Sequence, residues 1–484
     1  MKNYLKYLLI VPILLFTKSC ESWLDVNPRD QIEAGVLFER ESGFKDALIG
    51  IYINMTSTAM YGREMTFGMV DLLGSVYTSV GGGNTTTYGA LRLFDFTHSG
   101  AETVINNVWM QSYNTIANIN NLIQHLHAAD RSMFQRDNFN VILGEALALR
   151  AFIHFDLLRL FAPSYLAGPN ALAIPYVVTH SFQPTPFSTV SETIDKILAD
   201  LREATYLLRE SDPIHTGRQI TIHVDEGFLM NRQFRKNYYA TLATMARVYL
   251  WRGDLMNAGR LADEVIAGGS VRWTTADEIS HANIAMRDFT FSAEQIFVLQ
   301  ILSMEMNIRG FLQMHGYATG NMLIRTLANN NALFTDINDW RLMFFWEAGM
   351  AANPNARFNN KFYQREGMPN ALRGRMPIIR LPEMFLISAE VALLNGDLAT
   401  ARERLSTIHQ NRGMGAATIS PTATAEELRL LITREYQREF IGEGVLFYYY
   451  KRLNFDREDI LNAPVEFERE LFVVPIPMSE IEFR

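Results

Sequence analysis

The sequence predicts a mainly α-helical fold in which helical hairpins form a scaffold and long irregular insertions form a separate face. Three observations lead to this prediction: capping signals followed by apolar residues at helical spacing, a repeated hairpin motif, and long segments without a regular period. Strand signals are few and short. Residues 219–224 alternate weakly and residues 296–301 form a brief apolar run, and neither predicts a large sheet.

Two capping boxes mark the starts of helices. In each, a threonine precedes a glutamate by three residues, so the two side chains can satisfy backbone N–H groups that the first helical turn leaves free. The first box is Thr189 with Glu192, and apolar residues follow at helical spacing as far as Leu208. The second is Thr424 with Glu427, and we expect its helix to stop near the glycines at 442 and 444.

The stretch 142–161 is apolar nearly all round. A helix that is apolar on every face is surrounded by other elements, so this stretch predicts a buried central helix that ends before Pro163. His154 lies within it. We interpret His154 as a core histidine whose ring nitrogens are hydrogen-bonded, in preference to a metal ligand.

An internal repeat indicates how the helices are paired. Residues 242–265 and 385–408 share an alanine-containing apolar segment, then Gly-Asp-Leu, then another alanine three residues after that leucine. The glycine suits the left-handed end of one helix, the aspartate caps the next, and the alanines permit close approach. This pattern is typical of tetratricopeptide (TPR)-like helix pairs, which bury their apolar faces by stacking.

These signals divide the chain into a leader, a tether and one domain. We expect a lipoprotein signal peptide over 1–19, a lipid-bearing tether over 20–31, and a single domain over 32–484. The helix pairs are expected at about 110–165, 190–265 and 380–412, and the loop-rich insertions at about 74–100 and 270–375.

The first twenty residues have the layout of a bacterial lipoprotein signal. Lys2 and Lys6 form a positive region, and residues 7–16 form an apolar run that is too short to span a bilayer in the mature protein. Cys20 follows a small residue and is the single cysteine of the chain. We therefore predict lipidation at Cys20 and a protein that is anchored to a membrane by its acyl chains.

Composition and motifs exclude several classes of function. The formal net charge of −8 and the lack of a Lys/Arg-rich run argue against nucleic-acid binding. The sequence contains no HExxH, no G-x-S-x-G, no GxxxxGK[ST] and no strand-linked GxGxxG. No pair of carboxylates is singled out for glycoside hydrolysis. We therefore expect no catalytic residue, no metal site and no cofactor.

The candidate ligand-binding residues are aromatic and amide side chains in the irregular insertions. Sugar faces stack on aromatic rings, and amides bind hydroxyl groups. For Trp340 packing is the favoured interpretation, whereas we expect exposure for the tyrosines at 77 and 88, whose change to alanine should weaken binding without lowering the melting temperature. The full candidate set is Tyr77, Asn84, Tyr88, Tyr317, Asn321, Trp340 and Trp346.

Five sequence blocks together resemble the SusD/RagB family of outer-membrane lipoproteins of Bacteroidetes. The most distinctive is Glu-Ala-Leu-Ala-Leu-Arg-Ala-Phe at 145–152, which continues to Phe161. The others are Trp-Leu-Asp-Val-Asn-Pro at 23–28, Arg-Leu-Pro-Glu-Met-Phe-Leu-Ile-Ser-Ala-Glu at 380–390 followed by Asn-Arg-Gly at 411–413, the Arg-Glu, Arg-Glu-Phe, Glu-Gly and Lys-Arg groups within 434–452, and Pro-Ile-Pro at 475–477.

This resemblance implies a SusD-like α-α superhelix that binds a nutrient, often a glycan, at the cell surface. It implies a SusC-like TonB-dependent transporter as partner, with the TPR-like pairs packing against the transporter and the insertions forming the ligand face. It implies an outer-membrane location and no covalent chemistry. Three alternatives stay open: a peptide-binding member of the same family, a surface glycan-processing enzyme, and a TPR scaffold that binds only protein.

Overall fold

The computed structural model describes residues 36–312, 320–349, 353–415 and 418–482, and it is mainly helical. In the N-terminal half the helices are α1 (Glu41–Met55), α2 (Met69–Leu73), α3 (Thr87–Arg92), α4 (Ser99–Ala128), α5 (Asn138–Phe161), α6 (Val190–Ser211), α7 (Pro213–Thr216), α8 (Tyr238–Arg252) and α9 (Leu255–Ala267). Further along they are α10 (Ala276–Ser280), α11 (Met304–Ile308), α12 (Leu327–Leu333), α13 (Trp340–Phe344), α14 (Leu381–Leu394), α15 (Leu398–Gln410), α16 (Ala425–Glu439), α17 (Leu446–Leu453) and α18 (Met478–Glu482).

Short antiparallel strands form three small sheets in the part of the chain that the structure describes. The strands are β1 (Ser79–Val80), β2 (Leu172–Pro175), β3 (Phe187–Thr189), β4 (Gln295–Gln300), β5 (Leu323–Thr326), β6 (Trp346–Ala348), β7 (Ala356–Asn359) and β8 (Arg375–Arg380). One sheet has the order β1-β5-β7-β6, and the pairs β2-β3 and β4-β8 make the other two. The apolar run at 296–301 thus lies almost entirely in strand β4, whereas 219–224 is not a strand.

Helix α5 is the centre of the scaffold, as its sequence predicts. Every residue from 141 to 161 is buried, and the helix packs against α4 and α6. His154 is fully buried; its Nδ1 lies 2.8 Å from the carbonyl oxygen of Arg150, and its Nε2 accepts a hydrogen bond from the N–H of Val177 at 3.0 Å. Burial lowers the pKa of His154 to about 3, so the ring is neutral and structural.

The two repeated segments are helix pairs that stack directly on each other. Helices α8 and α9 form one hairpin, α14 and α15 form the other, and α9 contacts α14. Gly253 and Gly396 have φ values of 84° and 81°, which place both in the left-handed region that the hairpin turn requires. Asp254 and Asp397 then accept backbone N–H groups at 3.1 and 3.0 Å, so the predicted capping role is confirmed.

Both predicted capping boxes are present. The side chains of Thr189 and Glu192 bond each other's backbone N–H groups at the start of α6, and Thr424 and Glu427 do the same for α16. Helix α16 ends at Glu439, a few residues before the glycines that we expected to stop it. Among the described helices, none combines the length and apolarity needed to cross a membrane. The predicted signal peptide and tether lie outside the described residues.

Candidate ligand-binding cleft

The four-stranded sheet gathers segments that are far apart in the sequence. Strand β1 pairs with β5, so that Ser79 is opposite Ile324, and β6 pairs with β7, so that Trp346 is opposite Asn359. The loop after β1 continues this contact, since the N–H of Gly82 donates to the carbonyl of Gly320 at 2.8 Å. The sheet therefore brings together parts of the two insertions that the sequence marked as irregular.

A cleft of about 700 Å³ lies beside this sheet. It is formed by three segments, 283–289, 343–348 and 360–366. Its aromatic lining comprises Phe289, Phe344, Trp346 and Tyr363. Its polar lining comprises Asn283, Arg287, Glu347, Asn360, Arg365 and Glu366. Several rings with a few polar groups around them are the usual composition of a small-molecule site, and flat sugar faces stack on such rings.

Trp346 occupies a defined position in this wall. It begins β6, its ring is partly buried against the core, and the guanidinium carbon of Arg325 lies 5.7 Å from its ring. Arg325 is itself buried and donates to the carbonyl oxygen of Val76 at 2.8 Å. Strand pairing and this contact hold the indole in place before any ligand arrives, which reduces the entropy that binding costs.

Two arginines line the cleft beside aromatic rings. The guanidinium carbon of Arg287 lies 5.2 Å from the Phe344 ring, and its Nε donates to the carbonyl of His281 at 2.8 Å. Arg365 lies between two rings, 4.5 Å from that of Phe289 and 4.8 Å from that of Tyr363. Burial lowers the pKa of Arg365, and the nearby positive charge of Arg287 acts in the same direction.

A buried ionic network fixes the segments that form the cleft. We use this name for the acidic residues Glu294, Asp339, Glu435, Glu439 and Glu443 and the basic residues Arg341, Lys361, Arg380 and Arg412, all at most 7% exposed. Glu294 closely follows the segment 283–289, Arg341 precedes 343–348, and Lys361 belongs to 360–366. Each cleft segment is therefore tied to the helical scaffold by a charged member of one network.

The network is densely bonded. Arg341 donates to Asp339 at 2.7 Å, to Glu435 at 2.9 Å and to Glu439 at 2.8 Å. Arg412 bridges Glu294 at 2.6 Å and Glu439 at 2.7 Å. Buried charges are tolerated only when paired and hydrogen-bonded in this way, and a network with every member satisfied tends to rigidify its surroundings. The cleft is thus built on a rigid support.

The structure places only one of the predicted ligand-binding residues that it describes in the lining of the cleft. Trp346 lines the cleft. Trp340 is partly buried against the cluster that contains Phe289 and Phe345, which agrees with the favoured interpretation that its ring serves packing. Asn84 is exposed and Asn321 half-buried at the end of the sheet where β1 and β5 meet, outside the cleft lining. Tyr317, like Cys20, lies outside the described residues.

The expected exposure of Tyr77 and Tyr88 is wrong. Tyr77 is 0% exposed, and Tyr88 is 6% exposed. The hydroxyl of Tyr88 donates to Glu64 at 2.8 Å, and its ring packs edge-on against Phe311 with centroids 4.8 Å apart. The small polar neighbours of both tyrosines suggested a surface loop, but a short helix and strand turn these rings inward. Their change to alanine should therefore lower stability, contrary to the expectation from sequence.

Sequence reasoning missed most of the cleft. Phe289, Phe344 and Tyr363, together with both arginines, were not singled out, although all lie in the insertion at 270–375 that the sequence marked as irregular. A usable signal exists in 358–365, where three aromatic residues are interspersed among amides and basic residues. That density of rings and polar groups in a segment without helical period was the available indication.

A second, larger groove of about 910 Å³ lies beside the start of α1. Its lining is dominated by charged side chains, among them Lys45, which contacts Glu41 at 3.1 Å and also pairs with Asp225. Phe228 and Phe234 are the aromatic residues that line it. Because this groove is more charged and less aromatic, we take the cleft beside the sheet as the candidate site.

Comparison with known proteins identifies the family. A family model described as "Starch-binding associating with outer membrane" matches residues 22–250, and a model described as "SusD family" matches residues 347–466. The chain belongs to the SusD/RagB family. No curated protein sequence matches the chain.

Solved structures of the SusD superfamily share the fold. One from Bacteroides thetaiotaomicron is 23% identical with a TM-score of 0.72, and the match covers 92% of this chain and 98% of the other. A SusD superfamily protein from Bacteroides vulgatus is 19% identical with a TM-score of 0.69, over 92% and 97% of the two chains. A SusD-like carbohydrate binding protein from the same species is 20% identical with a TM-score of 0.65, over 86% and 84%.

The blocks that resemble SusD/RagB proteins lie mainly in buried ion pairs of the scaffold. Glu145 accepts from Arg232 at 2.5 Å, and Arg150 donates to Asp200 at 2.7 Å. Arg380, Arg412, Glu439 and Glu443 belong to the buried ionic network. The sequence resemblance to the SusD family therefore comes mainly from residues that stabilise the scaffold. The segment between the two family matches, 251–346, supplies Arg287, Phe289 and Phe344 to the cleft, and the match at 347–466 supplies Tyr363 and Arg365.

Proposed function

We propose that this protein is a cell-surface nutrient-binding protein that captures an oligosaccharide in the aromatic cleft. The observation that carries the proposal is the cleft itself: four aromatic rings and six polar side chains on a rigid support, in a chain of the SusD family. Aromatic rings supply stacking surfaces, and Asn283, Asn360 and the two arginines supply hydrogen-bond groups for hydroxyls. Peptide binding is the alternative within the family.

Isothermal titration calorimetry against a panel of oligosaccharides tests this proposal. For a sugar that binds, Trp346→Ala should weaken affinity about tenfold or more, because truncating an aromatic anchor commonly costs at least ~1.4–2 kcal/mol. The matched control is Tyr206→Ala, which removes a ring that is 78% exposed on α6 and does not line the cleft. Equal affinity of the two variants, or binding of peptides in place of all sugars, would reject the cleft as a sugar site.

We further propose that the protein binds its ligand without cleaving it. Glu347 and Glu366 both line the cleft, and paired carboxylates are the requirement for glycoside hydrolysis, so the enzymatic alternative has a specific place to be tested. Incubation of the protein with any sugar that it binds should release no new reducing ends. Release that Glu347→Gln abolishes would replace the binding role by a catalytic one.

We also propose that the protein is anchored to the outer membrane through a lipid on Cys20 and acts as the capture and lid subunit of a SusC-like TonB-dependent transporter. The lipoprotein-like start of the sequence and the description of the family model as outer-membrane-associated support this part. The arrangement of cleft and scaffold supports it as well, since the cleft is built from the insertions and leaves the stacked hairpins available for a protein partner.

A further inference from the structure

The other large buried arginines of the described chain have polar acceptors. Arg341, Arg380 and Arg412 donate to carboxylates of the buried ionic network. Arg325 and Arg375 donate to backbone carbonyl oxygens at 2.8 and 3.0 Å. This is the expected behaviour, because a guanidinium removed from water without an acceptor costs several kcal/mol, on the order of that for any buried charge.

Arg365 departs from this pattern. It is 8% exposed, its Nη1 is buried with no hydrogen-bond partner, and it forms no ion pair with any residue that the structure describes. Its guanidinium packs against the rings of Phe289 and Tyr363, whose faces attract the cation but accept no conventional hydrogen bond. The protein thus keeps a buried guanidinium in the lining of the cleft with its Nη1 donor unused.

The charges around Arg365 leave room for an added anion. Arg287 lies on the same wall, and no carboxylate pairs with it in the described ranges. Glu347 and Glu366 also line the cleft, and Glu347 is near enough to affect Arg365 electrostatically, yet it lies beyond ion-pair distance. Carboxylate and sulfate groups each present two oxygens that match the fork of a guanidinium, and pairing is strongest where water is excluded.

We propose that the ligand of this cleft is an acidic glycan, whose uronate carboxylate or sulfate ester is bound by Arg365 with support from Arg287. The proposal rests on the proposed sugar-binding function of the cleft and narrows it to a substrate class. The rings of Trp346 and Tyr363 would then stack on the sugar, while Arg365 selects for the negative charge. A neutral sugar could use the same rings but would leave Arg365 unpaired.

Calorimetry with three probes tests the proposal: tetragalacturonate for carboxylate, a sulfated tetrasaccharide for sulfate, and maltotetraose as the neutral reference. At least one acidic probe should bind about tenfold or more tightly than maltotetraose, since a hydrogen bond to a charged group contributes about 1.5–3 kcal/mol. Its affinity should fall as salt is raised, unlike that of a neutral ligand. The better of the two acidic probes identifies the anion.

Variants separate this inference from the proposed function. Arg365→Gln should lower the affinity for the acidic probe about tenfold or more, and Arg365→Lys should retain part of that affinity. The control Arg429→Gln, at an exposed position on α16, should leave the affinity unchanged. If maltotetraose binds as tightly as both acidic probes, or if Arg365→Gln binds them normally while Trp346→Ala does not, the acidic-glycan proposal is wrong and the sugar-binding cleft stands. If no probe binds in a manner that depends on Trp346, both fail.

Discussion

Glu439 lies at the centre of the buried ionic network. Its carboxylate accepts hydrogen bonds from Arg380 at 2.5 Å, Arg412 at 2.7 Å and Arg341 at 2.8 Å. Burial alone would raise the pKa of Glu439, but the attraction of these arginines outweighs it and holds the pKa well below the ordinary value of 4.5. One side chain thus joins the C-terminal part of the scaffold to the segments that form the cleft.

Replacing the carboxylate of Glu439 should strongly destabilise the folded protein. Glu439→Gln leaves three guanidinium groups facing a neutral amide, so we expect a loss of about 3–5 kcal/mol in the free energy of unfolding. Urea denaturation at pH 7 measures it. The control is Glu426→Gln on the same helix, whose partner Arg429 is exposed, and which should have little effect. A near-normal Glu439→Gln would mean that the network does not hold the cleft segments.

The lowered pKa of Glu439 also predicts how the free energy of unfolding changes at acid pH. Because the pKa of Glu439 is lower in the folded chain than in the unfolded chain, its stabilising contribution is complete above about pH 4.5 and is lost as pH falls through the folded-state value. The free energy of unfolding should therefore drop between about pH 4.5 and pH 2, and Glu439→Gln should make this decline shallower. A variant with an unchanged slope would exclude Glu439 as a source of the acid sensitivity.

At the scale of elements, the hairpin glycines have a single purpose. Gly396 ends α14 with a φ of 81°, and a Cβ there would meet no atom within 4 Å, so only backbone strain opposes a side chain. Gly50 lies inside α1, also with nothing within 4 Å, but in ordinary helical geometry. The same substitution should therefore have opposite effects at these two positions.

We expect Gly396→Ala to destabilise the protein by about 1 kcal/mol, since left-handed backbone costs an L-residue roughly 1–2 kcal/mol. Gly50→Ala should stabilise it by about 0.5–1 kcal/mol, because alanine is the better helix former. Thermal unfolding of both variants checks the pair. If the two changes have the same sign, the left-handed turn is not what fixes glycine in the hairpin.

The helices could be predicted from local sequence signals, whereas the four-stranded sheet could not, because its strands are far apart in the sequence. The capping boxes and the Gly-Asp turns act within a few residues, so their chemistry can be read directly from the sequence. The four-stranded sheet has strands of two to four residues, and β1 pairs with β5 more than two hundred residues away. No periodicity can arise in such short strands. The cleft was equally hard to predict, because its three segments are brought together by long-range contacts, among them Arg287 with Phe344 and Arg365 with Phe289.

At the scale of the whole molecule, scaffold and cleft follow different parts of the chain. The main scaffold helices α4, α5, α6, α14, α15 and α16 lie within the two family matches, whereas 251–346, between the matches, supplies much of the cleft. The same division explains why the sequence predicted the family and fold but named only Trp346 among the residues that line the cleft. Family motifs lie in buried ion pairs, and the ligand face carries no comparable pattern.

We propose that the capture cleft and a partner-binding scaffold belong to one uptake complex. Purification of the protein from detergent-solubilised outer membranes tests it most directly. We predict recovery of a large TonB-dependent barrel in comparable amount, unchanged by Trp346→Ala and lost with Cys20→Ala, which removes the anchor. Recovery of the protein alone, under conditions mild enough to preserve membrane complexes, would contradict the claim.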